Sequence, residues 1–81
     1  MLLSELIKQT RQKLFMSQDD FATEINVSVA TINRWENGKS KPNLTAMKSI
    51  KGFCTQNNLP FEEIENEWHS NSKEDKNVNN K

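Results

Sequence analysis

Residues 17–42 read SQDDFATEINVSVATINRWENGKSKP and carry the signals of two short helices with a joint between them. Ser17 and Ser28 each precede a helix-forming run, and a serine hydroxyl is a preferred cap for a helix N-terminus. Asn26 suits the joint because asparagine tolerates a left-handed backbone, and Gly38 suits the same conformation at the end of the second helix. The pattern predicts helices over residues 18–25 and 29–37.

Three more helices are indicated outside this stretch, so the sequence predicts an all-α domain of five helices over residues 1–69. Helical spacing predicts the first over 2–15, Asn43 caps a fourth that reaches about residue 56, and Pro60 is a favoured first-turn proline for a fifth. No run alternates in the way a strand does. The apolar residues that indicate these helices are Leu2, Leu3, Leu6, Ile7, Leu14 and Phe15, then Leu44, Met47, Ile50 and Cys54, then Phe61, Ile64 and Trp68.

The last residues, 70–81, are polar apart from Val78. A segment of this composition cannot bury enough apolar surface to offset the conformational entropy that ordering it would cost. A disordered polar tail is therefore predicted to follow the helical domain.

Charge is divided unevenly along the 81 residues, although the chain as a whole is neutral. Residues 1–54 carry eight lysines and arginines against five acidic residues, a net of +3, and residues 55–81 carry three against six, a net of −3. Binding depends on the local field rather than on the total charge. A nucleic-acid partner for the basic part is therefore compatible with a neutral chain.

Several classes of protein are disfavoured by what the sequence lacks. The single cysteine, Cys54, allows no intramolecular disulfide, and no apolar run is long enough to span a bilayer or to serve as a signal peptide. Cys54 and His69 have no recognised metal-ligand spacing. No nucleophile–base set or phosphate loop indicates an enzyme. We expect a cytoplasmic protein without catalytic residues, metal or cofactor.

The second helix of the opening stretch has two faces with different roles. Ile32 and Trp35 are three residues apart and share an inward face, so Trp35 is expected in the core rather than stacked on a base. A helix held out from the body in this way fits the major groove of DNA, where arginine pairs with guanine, asparagine with adenine, and small apolar side chains contact the thymine methyl group. The inward spine is predicted as Phe21, Ala22, Ile25, Val27, Ile32 and Trp35. The base-contacting residues are predicted as Val29, Ala30, Asn33 and Arg34.

Contacts to the DNA backbone are predicted at the helix N-termini and just after the second helix. Backbone N–H groups and polar side chains at a helix N-terminus suit a phosphate group. Lysines that follow the helix are placed to reach the sugar–phosphate backbone. The residues predicted in this way to contact the DNA backbone are Gln18, Ser28, Thr31, Lys39 and Lys41.

The whole window resembles the phage-repressor, or Cro/Xre-like, family of helix-turn-helix DNA-binding domains. The resemblance covers residues 3–56 and lies in the Ser-Gln start, the Phe-Ala pair, Val-Ser, Thr-Ile, Trp-Glu and Gly-Lys-x-x-Pro. It implies a five-helix lambda-repressor-like fold that contacts bases through positions 29, 30 and 34 and the DNA backbone through Gln18 and the loop with Asn37, Lys39 and Lys41. It also implies a partly buried salt bridge between Arg11 and Glu36.

Two positions depart from the family pattern in ways that the fold accommodates. Phe21 stands where leucine is usual, and Asn26 stands where glycine is usual at the turn. Val29 and Ala30 are small and apolar where many relatives carry long polar side chains. Recognition of the DNA base sequence is therefore expected to depend on Arg34, Asn33 and the shape of the DNA.

The sequence leaves two questions open. The expected function is that of a transcriptional regulator, foremost a repressor, that binds double-stranded DNA as a homodimer. The alternative is an antitoxin or another protein-interaction module, whose protein partner would bind helix five or the tail. The apolar residues Phe61, Ile64 and Trp68 are expected to pack first on the monomer core, with part of that patch shared at a dimer seam. No membrane partner is expected.

Overall fold

The computed structural model describes the backbone of residues 1–79 and the side chains of residues 1–70. Five α-helices and no strand are present over the described backbone, so the predicted all-α class is confirmed. The helices are α1 (Leu3–Lys13), α2 (Gln18–Glu24), α3 (Val29–Glu36), α4 (Leu44–Gln56) and α5 (Glu62–Asn79).

Three helices begin at the caps that the sequence predicts. The hydroxyl of Ser17 accepts a hydrogen bond from the backbone N–H of Asp20 at 3.0 Å. In the same way, Ser28 accepts from the N–H of Thr31 at 3.1 Å. Asn43 Oδ1 accepts from the N–H of Ala46 at 2.8 Å. Because each cap satisfies a backbone N–H that the helix leaves unpaired, α2, α3 and α4 have defined first turns.

The joint between α2 and α3 has the backbone that the sequence predicts. Asn26 has a φ of 63°, and Gly38, just past the end of α3, has a φ of 73°. The N–H of Val27 donates to the carbonyl of Ala22 at 2.9 Å, which closes the end of α2. The short joint therefore holds α3 at a fixed angle to α2.

The prediction for the end of α1 is wrong at Phe15. The helix ends at Lys13, and Phe15 takes a φ of 56° with its side chain 97% exposed, instead of continuing the apolar stripe. The chain turns at this point so that Met16 packs against the core. Leu2, which was assigned to the same stripe, precedes the first helical residue and is 64% exposed.

Replacing Phe15 by glycine is expected to raise the free energy of unfolding by about 0.5–1 kcal/mol. A left-handed backbone is unfavourable for a residue with a Cβ atom, and the exposed ring loses no packing when it is removed. Urea denaturation would measure the change. Phe15→Ala is the matched control, because it removes the ring and keeps the Cβ, and it should stay near wild type. A less stable Phe15→Gly variant would show that the ring has a packing role.

The core is built from one face of each helix. The predicted spine is confirmed, with Phe21, Ala22, Ile25, Ile32 and Trp35 buried and Val27 partly buried against them. On α4, Leu44 is exposed although the sequence assigned it to the apolar set, because it is the first residue of the helix and points away from the core. Phe53, which the sequence pattern does not indicate as a core residue, is buried.

The apolar face of α5 packs within the same molecule. Ile64 is buried, and Phe61 and Trp68 are partly buried against the core. The expectation that this face packs first on the monomer is therefore confirmed, whereas its share in a dimer seam stays a prediction. The backbone of α5 continues to Asn79, beyond the predicted end of the domain at residue 69. The prediction of a disordered tail over residues 70–81 lies largely outside the described residues. The structure does not describe the side chains of residues 71–81 or the backbone of residues 80–81.

Candidate nucleic-acid interface

The two faces of α3 differ in burial as the sequence predicts. Ile32 is 0% exposed and Trp35 is 3% exposed, so these two side chains fix the helix to the core. Successive residues on a helix are about 100° apart, which turns the intervening positions away from that core. The predicted base-contacting residues all lie exposed on the outer face: Val29, Ala30, Asn33 and Arg34.

Arg34 is the long cationic side chain of this face. It is exposed, and among residues 1–70 no side chain or backbone group bonds to its guanidinium. Its backbone carbonyl accepts a hydrogen bond from the N–H of Lys39 at 2.9 Å, which anchors the following loop to the end of α3. The guanidinium therefore keeps all of its donors for an external acceptor.

Asn33 is oriented by a neighbour one turn later. Asn37 Nδ2 donates to the backbone carbonyl of Asn33 at 2.9 Å and to Asn33 Oδ1 at 3.1 Å. Asn33 Oδ1 keeps a second lone pair after it accepts from Asn37, and the Nδ2 group of Asn33 keeps its N–H donors. One acceptor and one donor are thus presented together, which is the pattern that bidentate pairing with adenine needs.

Three of the residues predicted to contact the DNA backbone lie at the N-terminal ends of α2 and α3. The Ser28 hydroxyl caps the start of α3 and lies 2.9 Å from the Thr31 hydroxyl. Gln18, the first residue of α2, is partly buried and donates through Nε2 to Glu36 Oε1 at 3.0 Å. The first N–H groups of each helix have no partner inside that helix, so they can donate hydrogen bonds to a phosphate oxygen.

A bidentate salt bridge ties these elements together. Arg11 Nε lies 2.8 Å from Glu36 Oε2, and Arg11 Nη2 lies 2.9 Å from Glu36 Oε1. Arg11 Nη1 also donates to the carbonyl of Met16 at 2.9 Å, in the turn before α2. The side chains are 13% and 3% exposed, respectively. The salt bridge that the family resemblance implies is confirmed, and it joins α1, the start of α2 and the end of α3.

The electrostatics of this pair keep both partners charged. Burial by itself raises the pKa of the Glu36 carboxyl, but hydrogen bonds from Arg11 and Gln18 and the charges of Arg11 and Lys8 outweigh it and lower that pKa below its ordinary value. The hydrogen bond to Glu36 raises the pKa of the Arg11 guanidinium despite its partial burial. The pair therefore acts as a permanent connection between α1 and α3 at neutral pH.

The loop between α3 and α4 carries the two predicted lysine contacts in different settings. Lys39 is exposed. Lys41 is partly buried, and its Nζ lies 3.4 Å from the carbonyl oxygen of Trp68 and 4.9 Å from the centre of the Trp68 ring. Sequence reasoning missed this link to α5, because no local pattern connects residues so far apart in the chain.

Other kinds of site find little support in the part of the chain that the structure describes. None of its helices is long and apolar enough to cross a membrane. No three or more histidine, cysteine or acidic side chains within it lie close enough together to hold a metal ion. Cys54 is buried, and burial raises the pKa of its thiol.

A model of the helix-turn-helix family matches residues 7–50, which is more than half of the chain. Among curated proteins, the HTH-type transcriptional activator BcrR of Enterococcus faecalis is 34% identical over 53 residues, which cover 65% of this chain and 26% of the activator. The type II methyltransferase M.SsoII of Shigella sonnei is 35% identical over 54 residues, which cover 63% of this chain and 14% of that protein. The chain thus spans a minor part of each relative. No solved structure matches with comparable significance.

Proposed function

Because the chain belongs to the Cro/C1-type helix-turn-helix family of DNA-binding regulators, we propose that it binds double-stranded DNA in a sequence-specific way and regulates transcription. Repression is the simplest mode, since a bound domain blocks its site without further contacts. The likeness to the methyltransferase covers 14% of that protein and gives no reason to propose methyl transfer here.

The observation that carries this proposal is the division of α3 into an anchored face and an exposed face. Ile32 and Trp35 are buried, whereas the predicted base-contacting residues are exposed together. The major groove is about 12 Å wide and admits one α-helix. A short helix fixed along one side to a packed core can enter the groove without losing its own packing.

Each exposed residue of α3 has a definite proposed role. The unengaged guanidinium of Arg34 matches the O6 and N7 acceptors of guanine. Asn33, oriented by Asn37, matches the N6 and N7 atoms of adenine. Val29 and Ala30 offer only methyl groups, which suit the thymine C5-methyl.

The surrounding residues are proposed to contact the sugar–phosphate backbone. Gln18, Ser28 and Thr31 lie at the starts of α2 and α3, and a helix N-terminus favours a negatively charged group such as phosphate. Lys39 lies three residues after the last residue of α3 and adds a positive charge near that end of the helix. For Asn37, the amide nitrogen already serves Asn33, so its proposed contact to DNA is subordinate to that positioning role.

The functional unit is proposed to be a homodimer. One recognition helix reads too few base pairs to be selective in a genome, and two copies would read half-sites about 34 Å apart. Ile64 is buried in the core of its own chain, so the proposed seam uses the exposed parts of Phe61 and Trp68. Measuring the mass of the protein in solution, with and without a selected site, tests this proposal.

Arg34→Ala is expected to lower the affinity for a selected site by about 1–3 kcal/mol and to relax the base preference at one position. The expected cause is the loss of bidentate hydrogen bonding to guanine. Selection of wild type and variant on the same random duplex pool, followed by titration of the enriched site, would measure both effects. An unchanged preference in the variant would contradict the role of Arg34. If the wild type enriches no sequence at all, the proposed function itself is wrong.

Lys39→Ala is the matched control because it removes a charge next to α3 without touching the reading face. It should weaken the selected and unrelated duplexes alike and reduce the slope of log affinity against log salt by about 1. The two variants together separate base readout from attraction to the DNA backbone.

A further inference from the structure

We propose that Trp68 is a positioning residue for DNA binding, through which α5 holds the loop between α3 and α4. This loop, residues 37–43, is called the α3–α4 loop below. It carries Asn37, Lys39 and Lys41, which are proposed to contact the DNA backbone, so this inference rests on the proposed function.

The first contact is a short hydrogen bond to the backbone of the loop. Trp68 Nε1 donates to the carbonyl oxygen of Pro42 at 2.6 Å. Pro42 is itself fully buried, so its carbonyl is fixed against the body of the molecule. An indole N–H has a single donor and no acceptor, and this bond satisfies it.

The second contact is made by the residue just before Pro42. Lys41 Nζ lies 4.9 Å from the centre of the Trp68 ring, within the range of a cation–π interaction. The same ammonium lies 3.4 Å from the carbonyl oxygen of Trp68. Two consecutive loop residues are therefore held by one residue of α5.

The α3–α4 loop also borders a cleft beside the start of α1. A cleft of about 290 Å³ separates the loop residues Gly38, Lys39 and Ser40 from the start of α1 at Leu2 and Leu3. Gly38 has a positive φ, and residues 40–43 lie outside any helix. The segment is held near its start by the Lys39–Arg34 backbone bond and near its end by the bond from Trp68 to Pro42, next to the Asn43 cap of α4.

Pre-positioning of the loop matters because a phosphate contact gains little if the loop must be ordered when DNA binds. Trp68 supplies that order in the free protein. The proposed contact of Lys41 with the DNA backbone would start from the position that Trp68 gives its ammonium.

Two substitutions separate the two contacts. Trp68→Phe keeps an aromatic ring for Lys41 and removes the hydrogen bond to Pro42, so it should weaken the selected site and an unrelated duplex alike, by about two- to ten-fold. Trp68→Leu also removes the ring. It should weaken both duplexes further and reduce the salt slope by about 1, as the loss of one phosphate contact does.

The measurement is a titration of both duplexes at several salt concentrations, under conditions where circular dichroism shows each variant fully folded and its mass in solution equals that of wild type. Asn66→Ala, an exposed change on the same helix, is the matched control and should bind as wild type does. Lys41→Ala should have a smaller effect in the Trp68→Leu background than in the wild type, because the two residues act together.

If a folded Trp68→Phe protein has the affinity and salt slope of wild type, the positioning role of Trp68 is wrong. Trp68→Phe alone tests that role if Trp68→Leu does not fold. A loss of affinity confined to the selected site would also overturn it, because a backbone contact is independent of sequence. Failure of the wild type to bind any duplex would instead remove the proposed function, which distinguishes the two failures.

Discussion

Glu36→Ala is expected to lower the free energy of unfolding by about 3–5 kcal/mol, because it leaves the partly buried Arg11 guanidinium without its charge partner. The Glu36 side chain is 3% exposed and also accepts a hydrogen bond from Gln18, so a second polar group is stranded by the same change. A domain of this length has roughly 4–12 kcal/mol of stability in total. Urea denaturation at pH 7 would measure the loss. A change below about 1 kcal/mol would show that the pair behaves as an exposed one.

The pH dependence of stability provides the control. The folded-state pKa of Glu36 lies below its ordinary value of 4.5, so the stabilisation is fully present above that pH and is lost as the pH falls through the folded-state pKa. Glu36→Gln keeps the shape of the side chain and cannot titrate, so its stability should lack this component of the decline. An identical decline in wild type and Glu36→Gln would contradict the assignment to Glu36.

Phe21→Ala is expected to cost about 3–5 kcal/mol of unfolding free energy. The Phe21 side chain is 0% exposed, and its ring meets that of Phe53 edge to face, with the centroids 5.2 Å apart. The substitution leaves a cavity in the core beside the ring of Phe53. The midpoint of urea denaturation, compared with that of wild type, measures the cost.

Phe21→Leu is the matched control, because leucine is the residue that the family usually carries at this position. A change between two large apolar side chains should cost less than about 1.5 kcal/mol if the core repacks. Equal losses for leucine and alanine would show that the edge-to-face contact with Phe53, rather than the filled volume, provides the stability.

The features that could be predicted from sequence have local physical causes. Ser17, Ser28 and Asn43 cap helices because their side chains reach N–H groups only three residues away. Asn26 takes a positive φ because few other residue types tolerate one at a tight joint. The two faces of α3 follow from the turn of the helix itself.

The features that were missed depend on the tertiary arrangement. Phe15 fits the apolar period of α1, but the chain turns before it, and no local signal distinguishes the last helical residue from the first residue of the turn. The bond from Trp68 to Pro42 joins positions 26 residues apart, so it appears only once α5 is placed on the core. The bond from Asn37 to Asn33 depends on a choice of rotamer that the spacing permits but does not dictate.

The proposed reading of guanine by Arg34 is tested most directly by changing the protein and the DNA together. In the selected site, the guanine assigned to Arg34 is replaced by 7-deazaguanine, which lacks the N7 acceptor, and wild type and Arg34→Ala are titrated against both duplexes. We expect wild type to lose about five- to ten-fold in affinity on the modified duplex, and Arg34→Ala to bind the two duplexes equally. An equal loss for both proteins at every guanine of the site would contradict the assignment of Arg34 as the residue that reads guanine from α3.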